Sequence, residues 1–171
     1  MEEKKDVALD TIPKIFMDAV NQRKSKTAMR EKHLGIWQSV TWTEYGEKSK
    51  YVGLGLKKLG LNKNDVVSIA SEGIPEWLFT DIGTICVGGI SSGVYTTDSA
   101  TQVKYLVNDS KTVFYFAENE EQLDKILEVR NECPTLKKII VYDLEGLHEY
   151  KDDQVISFDE LLLLGKRLDN E

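Results

Sequence analysis

Gly89-Ile90-Ser91-Ser92-Gly93 has the G-x-S-x-G spacing of a nucleophile elbow, in which a serine on a tight strand-to-helix turn attacks a carbonyl carbon. His148 and several aspartates follow it in the chain order that a serine hydrolase uses. The elbow demands strand, turn and then helix. Here an apolar, helix-like run precedes the glycines, and the β-rich Val94-Tyr95-Thr96-Thr97 follows the serines. His148 also falls in a charged stretch. Ser91 therefore stands as an alternative nucleophile, weighed against glycines that let a helix and a strand approach closely. Gly88 and Gly93 have the spacing of a phosphate-binding loop, but Val94 and Tyr95 occupy the positions where that loop needs Lys and Ser or Thr. Gly53, Gly55 and Gly60 suggest a dinucleotide fingerprint, yet they lie within or at the end of a helical stripe, where close helix packing accounts for them better. Cys86 and Cys133 are far apart with no C-x-x-C spacing, and Cys86 sits in an apolar run that reads as a buried thiol. His33, beside a turn, reads as exposed. These motifs assign no catalytic, cofactor-binding or metal-binding residue.

The elements around these residues follow from periodicity. Ile12, Ile15, Phe16, Ala19 and Val20 form the i, i+3, i+4 stripe of a short helix over 12–20, with Pro13 suited to its first turn. Residues 27–30 and 36–42 flank a turn at 32–35 and read as a hairpin. Trp42-Thr43-Glu44 passes into a capped helix carrying Tyr45, Ser49, Val52, Leu56 and Leu59 on one stripe, with Gly60 as its stop. Strand and helix then alternate: strands at 66–70, 89–94, 112–116 and 136–142, helices at 75–87, 100–108 and 120–130. This order predicts an α/β fold with a mostly parallel sheet and helices on both faces, preceded by a β-hairpin, because each parallel return needs a crossover. Ser99 and Gln102 have the spacing of a capping box on the helix at 100–108. The helix at 75–87 is apolar nearly all round and is expected to lie beneath other structure. Residues 145–154 read as a loop, followed by a strand at 155–156 and a helix at 158–164. The four leucines Leu161 to Leu164 exceed what one helix face buries, which calls for a sandwiched helix or for something outside this chain.

The 171 residues make one domain by the usual prior, 1–171, with 1–10 as a disordered leader. Hydrophobic residues at 41% and charged residues at 30% suit a globular core. The net charge of −7 repels nucleic acid backbones and disfavours polybasic attachment to anionic lipid, so no nucleic acid partner is expected. The longest uncharged stretch is interrupted by four glycines and is shorter than the roughly 20 apolar residues of a transmembrane helix. With no apolar signal-peptide core at the start, a cytoplasmic setting is expected.

Several ordered segments carry a family resemblance. VTWTEYGEKSKYVGLGLKKLGLNKNDVVSIASEG, GTICVGGISSGVYTTDSATQVKYLVNDSKTVFYF and ENEEQLDKILEVRNECPTLKKIIVYD together resemble the front of the AMP-forming acyl-activating enzymes. The Val-Tyr-Thr-Thr wording is closest to their long-chain fatty acyl-CoA synthetase branch. The resemblance spans about residues 12–164 and implies the N-terminal subdomain of the acyl-CoA synthetase fold.

Such enzymes activate a fatty acid with ATP and Mg²⁺ to an acyl-adenylate, which coenzyme A then takes over. The Ser/Thr/Gly-rich loop closed by a Lys, and the lid with its catalytic Lys, belong to later motifs that this sequence lacks. The resemblance therefore implies a scaffold role, no cofactor held by this chain alone, and no activity in isolation. It also implies partners: the nucleotide-binding and lid portions of the parent, a fatty acid substrate, room for a homodimer, and a parent peripheral to a membrane. Trp77 and Phe79 are candidates to face an acyl chain, although core packing explains them better. A free-standing, non-catalytic α/β binding module is the other reading.

Overall fold

The protein is represented by a computed structural model that describes residues 9–147 and 150–170, so residues 1–8 of the leader expected at 1–10, and His148, lie outside the described residues. The chain falls into two compact units divided between Glu47 and Lys48.

The first unit holds α1 (Ile12–Arg23), the antiparallel strands β1 (Thr27–His33) and β2 (Ile36–Thr41), and the first turn of α2 (Trp42–Lys58). Pro13 sits in the first turn of α1, as expected. Its one buried residue, Phe16, packs edge-on against Tyr45 at 4.7 Å between ring centroids, and the Arg23 guanidinium lies 4.8 Å from the Trp42 ring. The entry to α2 is a capping box: Glu44 N–H donates to Thr41 Oγ1 at 3.2 Å, while the Glu44 carboxylate accepts from Thr41 N–H at 2.7 Å. The hairpin turn is tighter than the four residues expected. His33 pairs with Ile36, which leaves a two-residue loop at Leu34 and Gly35 with φ of 47° and 83°. Two consecutive positive φ values make the type I′ turn, whose twist matches that of paired strands and lets pairing run to the tip.

The second unit is a five-stranded, all-parallel sheet in the order β4-β3-β5-β6-β7, formed by β3 (Val66–Ala70), β4 (Ile90–Val94), β5 (Thr112–Ala117), β6 (Lys138–Val141) and β7 (Val155–Ser157). The crossover helices are α3 (Pro75–Cys86), α4 (Ala100–Ser110) and α5 (Glu120–Val129), and α6 (Phe158–Asp169) follows β7. β5 lies at the centre, and all six of its residues are buried. Alternation along it divides the core. Tyr115 and Ala117 join Val103 and Val107 of α4 and Leu123 and Ile126 of α5 in one apolar cluster. Phe116 points the other way and continues through Tyr142, at 5.6 Å, to Phe158 of α6, at 5.1 Å. The Ser99–Gln102 capping box is present, and Ser157 with Glu160 forms a second one at the start of α6.

Glycines set the helix layer on the second face. A Cβ on Gly53 would come within 2.7 Å of the Gly83 carbonyl oxygen, which brings α2 against α3, and a Cβ on Gly165 would collide with the Tyr51 carbonyl, which brings α6 against α2. Gly53 and Gly55 thus serve close packing, as their helical spacing suggests.

Two burial expectations are corrected. α3 is not covered all round: Phe79, Thr80 and Gly83 are buried, whereas Leu78 is exposed and Trp77, Ile82 and Ile85 are half-buried. Cys86, expected inside, is exposed, because it falls on that outer side of α3. Cys133 is buried. Of the four leucines, Leu161 is buried, Leu162 and Leu164 are half-buried and Leu163 is exposed. The described part of 145–154 is loop, tied down by Arg130 to Asp152 at 2.5 Å.

Gly165→Ala separates propensity from packing. Alanine favours an isolated helix by about 1 kcal/mol over glycine, but the collision with Tyr51 outweighs it. A net loss of about 2–3 kcal/mol is expected, near 5–10 °C in Tm at this size, in thermal denaturation followed by circular dichroism. Gly73→Ala, which meets open space, is the control and should stay within about 0.5 kcal/mol.

Candidate functional site

The strand order β4-β3-β5-β6-β7 reverses direction at β3, which has β4 on one side and β5 on the other. In open parallel sheets, ligands bind outside the carboxyl ends of the strands at such a switch point, because the diverging crossovers leave a crevice there. The residues just past the strand ends, Ser71 and Glu72 after β3, Thr96 and Thr97 after β4, and Glu118 and Asn119 after β5, are the ones this topology brings together.

Five of these residues and three from α5 line a cleft of about 450 Å³: Glu72, Thr96, Thr97, Glu118, Asn119, Glu121, Gln122 and Lys125. The Glu118 carboxylate accepts from Ser71 Oγ at 3.0 Å and from the Glu72 backbone N–H at 2.5 Å, which pins the β3 and β5 exits to each other. Thr96 Oγ1 donates to Glu72. Lys125 Nζ donates to the Thr96 carbonyl at 2.6 Å and pairs with Glu121 at 2.9 Å, and Gln122 Nε2 reaches the same carbonyl at 3.2 Å. Asn119 caps α5 by accepting from the Gln122 N–H.

The resulting crevice is acidic. Three carboxylates face one ammonium, and that ammonium is already held by a carbonyl and by Glu121. A triphosphate needs converging backbone donors and cations to spread its charge. This crevice supplies acceptors, so it does not fit ATP with Mg²⁺. Among the described residues, no group of three or more His, Cys, Asp or Glu side chains has the arrangement to hold a metal ion.

A second concavity, also about 450 Å³, lies beside the edge strand β4 and is lined by Gly93, Tyr95, Asp98, Thr101, Gln102, Tyr105 and Leu106. Among the described residues, the buried phenol of Tyr115 has no hydrogen-bond partner. Burial, with the charge of Asp98 adding to it, raises its pKa far above the usual tyrosine value and keeps it protonated.

The sequence motifs fall elsewhere. Ser91 lies within β4 itself and not on a turn, and its hydroxyl donates to Asp81 of α3. Among the described residues, the partner of that hydroxyl is a carboxylate and not the imidazole that would take a nucleophile's proton. His33 is exposed, as expected. Phe79 is fully buried under the Lys48 ammonium at 5.0 Å, and Trp77 is half-buried near Gly93. Core packing therefore accounts for Phe79. The switch-point residues, Glu118 above all, carry no motif. Their one signal is position: each lies within three residues after a predicted strand, or on the first turns of the next helix.

The second unit is thus a doubly wound α/β layer whose switch point is lined by carboxylates. The chain belongs to the AMP-binding enzyme family, whose model matches residues 16–163. It is 34% identical over 156 residues to the long-chain-fatty-acid–CoA ligase ACSBG2 of Xenopus laevis, covering 91% of this chain and 21% of that protein. To ACSBG1 of Rattus norvegicus, also a long-chain-fatty-acid–CoA ligase, it is 29% identical over 161 residues, covering 94% and 22%. The chain thus spans about a fifth of the length of these relatives. Among solved structures, acetoacetyl-CoA synthetase from Streptomyces lividans superposes with a TM-score of 0.78 at 22% identity, covering 88% of this chain and 24% of that one. The A-PCP didomain of the carboxylic acid reductase from Segniliparus rugosus, in complex with AMP, gives 0.78 at 13% identity, covering 96% and 27%. At these identities the structures establish the shared fold.

If Ser91 were an activated nucleophile, a serine-directed fluorophosphonate would label the folded chain. No adduct on the intact chain is expected by mass spectrometry, and after the same treatment Ser91→Ala should differ from the parent chain by the loss of one oxygen alone.

Proposed function

We propose that this chain is the N-terminal α/β segment of an AMP-forming long-chain fatty acid–CoA ligase of the cytoplasm, and that it is inactive alone. The observation that carries this reading is the family match over residues 16–163 together with relatives that are ligases for long-chain fatty acids.

The chemistry explains the division of labour. A fatty carboxylate is a poor acyl donor because its leaving oxygen is too basic, so the parent reaction uses ATP to convert it into an acyl-adenylate. The thiol of coenzyme A then displaces AMP. The metal ion supplies charge stabilisation at the phosphates when bound, and the residues that hold it and the nucleotide belong to portions of the parent beyond these 171 residues. What this chain contributes is a rigid parallel sheet with pinned strand exits, against which those portions pack. The half-buried and exposed apolar residues of α3 and α6, Leu78, Ile82, Ile85 and Leu163, fit such packing.

Two assays check this. The purified chain should give no palmitate-dependent exchange of pyrophosphate into ATP above background, and exchange by the chain alone would contradict the proposal. A chimera in which residues 16–163 replace the matching segment of the Xenopus ligase should form palmitoyl-CoA. A chimera that folds, judged by circular dichroism, yet forms none would contradict the scaffold role.

A further inference from the structure

The two edges of the parallel sheet differ. β7, at one edge, is three residues long, and a short edge resists unwanted pairing. β4, at the other, is five residues long, pairs with β3 without a break in register, and has no further strand beside it among the described residues. From Gly88 to Thr97 the chain has no charged residue and no proline, two devices that usually blunt an exposed edge. The Ile90 N–H donates to the Asp65 carbonyl, on the β3 side, at 2.9 Å. Backbone groups alternate in direction along a strand, so Ser91 and Gly93 turn their N–H and C=O groups to the open side, where they have no strand to pair with. Apolar side chains flank that side on both faces: Trp77 of α3 lies near Gly93, and Tyr105 and Leu106 of α4 line the concavity beside it.

The hand of the connections says what belongs there. α3 and α6 lie on the Phe116 face of the sheet: Tyr142, in ring contact with Phe116 and Phe158, donates to Thr80 of α3 at 2.8 Å. α4 and α5 cover the Tyr115 face. The crossover through α3 runs from β3 toward the β4 edge, and those through α4 and α5 run the opposite way on the opposite face, so all three share one hand. Connections from strand through helix to parallel strand are right-handed in about 98% of cases. A parallel strand reached from β7 through α6 must therefore lie from β7 in the direction that β4 lies from β3. Every place in that direction is filled until the outer side of β4.

We infer that the first parallel strand after α6 in the parent ligase joins this sheet on the outer side of β4. This rests on the ligase reading, whose relatives are matched by this chain over about a fifth of their length. The added strand bonds to the free backbone groups of Ser91 and Gly93 and lies between Trp77 on one face and Tyr105 with Leu106 on the other. Covered on both faces, it must be an apolar run like β5. Its carboxyl end emerges beside Tyr95 and Thr96, on the rim that carries the crevice, so the loop after it is placed to reach the switch point.

The test compares hydrogen exchange in the isolated chain and in the chimera with the Xenopus ligase. The amides of Ser91 and Gly93 should exchange about a hundredfold more slowly in the chimera, with β7 changed far less. Gly93→Pro removes an N–H that bonds to no strand in the isolated chain and should leave its Tm within about 2 °C, whereas in the chimera it breaks the new ladder and should lower Tm by more than that. Ser92→Pro removes a bond to β3 and should destabilise both. Slowing at β7 in place of β4, slowing at neither edge, or Gly93→Pro as damaging to the isolated chain as Ser92→Pro would overturn the inference. So would a dimer of the isolated chain, seen by sedimentation velocity, in which Ser91 and Gly93 are already protected, because the edge then pairs with a second copy. A chimera that forms palmitoyl-CoA while these amides stay fast sinks the strand placement and leaves the enzyme assignment standing; a folded chimera that protects them yet forms none does the reverse. If the chimera does not fold, exchange in the Xenopus ligase itself decides at the residues aligned with β4: slow outward amides support the placement and fast ones overturn it.

Discussion

Burial of β5 on both faces is the constraint from which the second unit follows. Thr112-Val113-Phe114-Tyr115-Phe116-Ala117 offers water nothing on either side of the strand, and each large side chain contributes about 2 kcal/mol only if it is fully covered. Strands must flank it to satisfy its backbone, and helices must lie above and below to cover alternate side chains. A parallel sheet with crossovers on both faces meets both demands for a strand in the middle of the chain. α4 and α5 cover Tyr115 and Ala117, and the aromatic run Phe116, Tyr142 and Phe158 fills the opposite side. The small residues at Gly53, Gly83 and Gly165 then let α2, α3 and α6 approach one another backbone to backbone over that side.

Much of this fold is legible in the residues. The β-α alternation from Val66 onward is written as apolar runs of strand length separated by helical stripes, and the capping boxes at Ser99 and Thr41 mark helix starts to the residue. Less legible is which apolar surface stays open. α3 reads as buried all round because periodicity reports how apolar a helix is and says nothing of how many neighbours it finds within this chain, so Leu78 and Cys86 come as corrections. The hairpin turn reads as four residues because Leu34 is not a residue that type I′ turns favour. Glu118 was invisible for a different reason: its role comes from strand order, which places Ser71 and Glu72 beside it across 47 and 46 positions of sequence.

The switch point illustrates how a shared architecture separates from its chemistry. Its geometry is that of a ligand crevice, yet Glu118 spends its carboxylate on locking two strand exits and Lys125 is held by the Thr96 carbonyl and Glu121. Position in the fold offers a site, and side-chain type decides whether it is used.

The central claim, that a doubly covered β5 organises this chain without help from any other part of a larger enzyme, is tested most directly by native-state hydrogen exchange on the isolated polypeptide. The account predicts that amides of β3, β5 and β6 exchange last and with a common free energy equal to that of global unfolding, with the β4 edge and the hairpin opening earlier. Exchange of β5 amides as fast as those of the hairpin would contradict it.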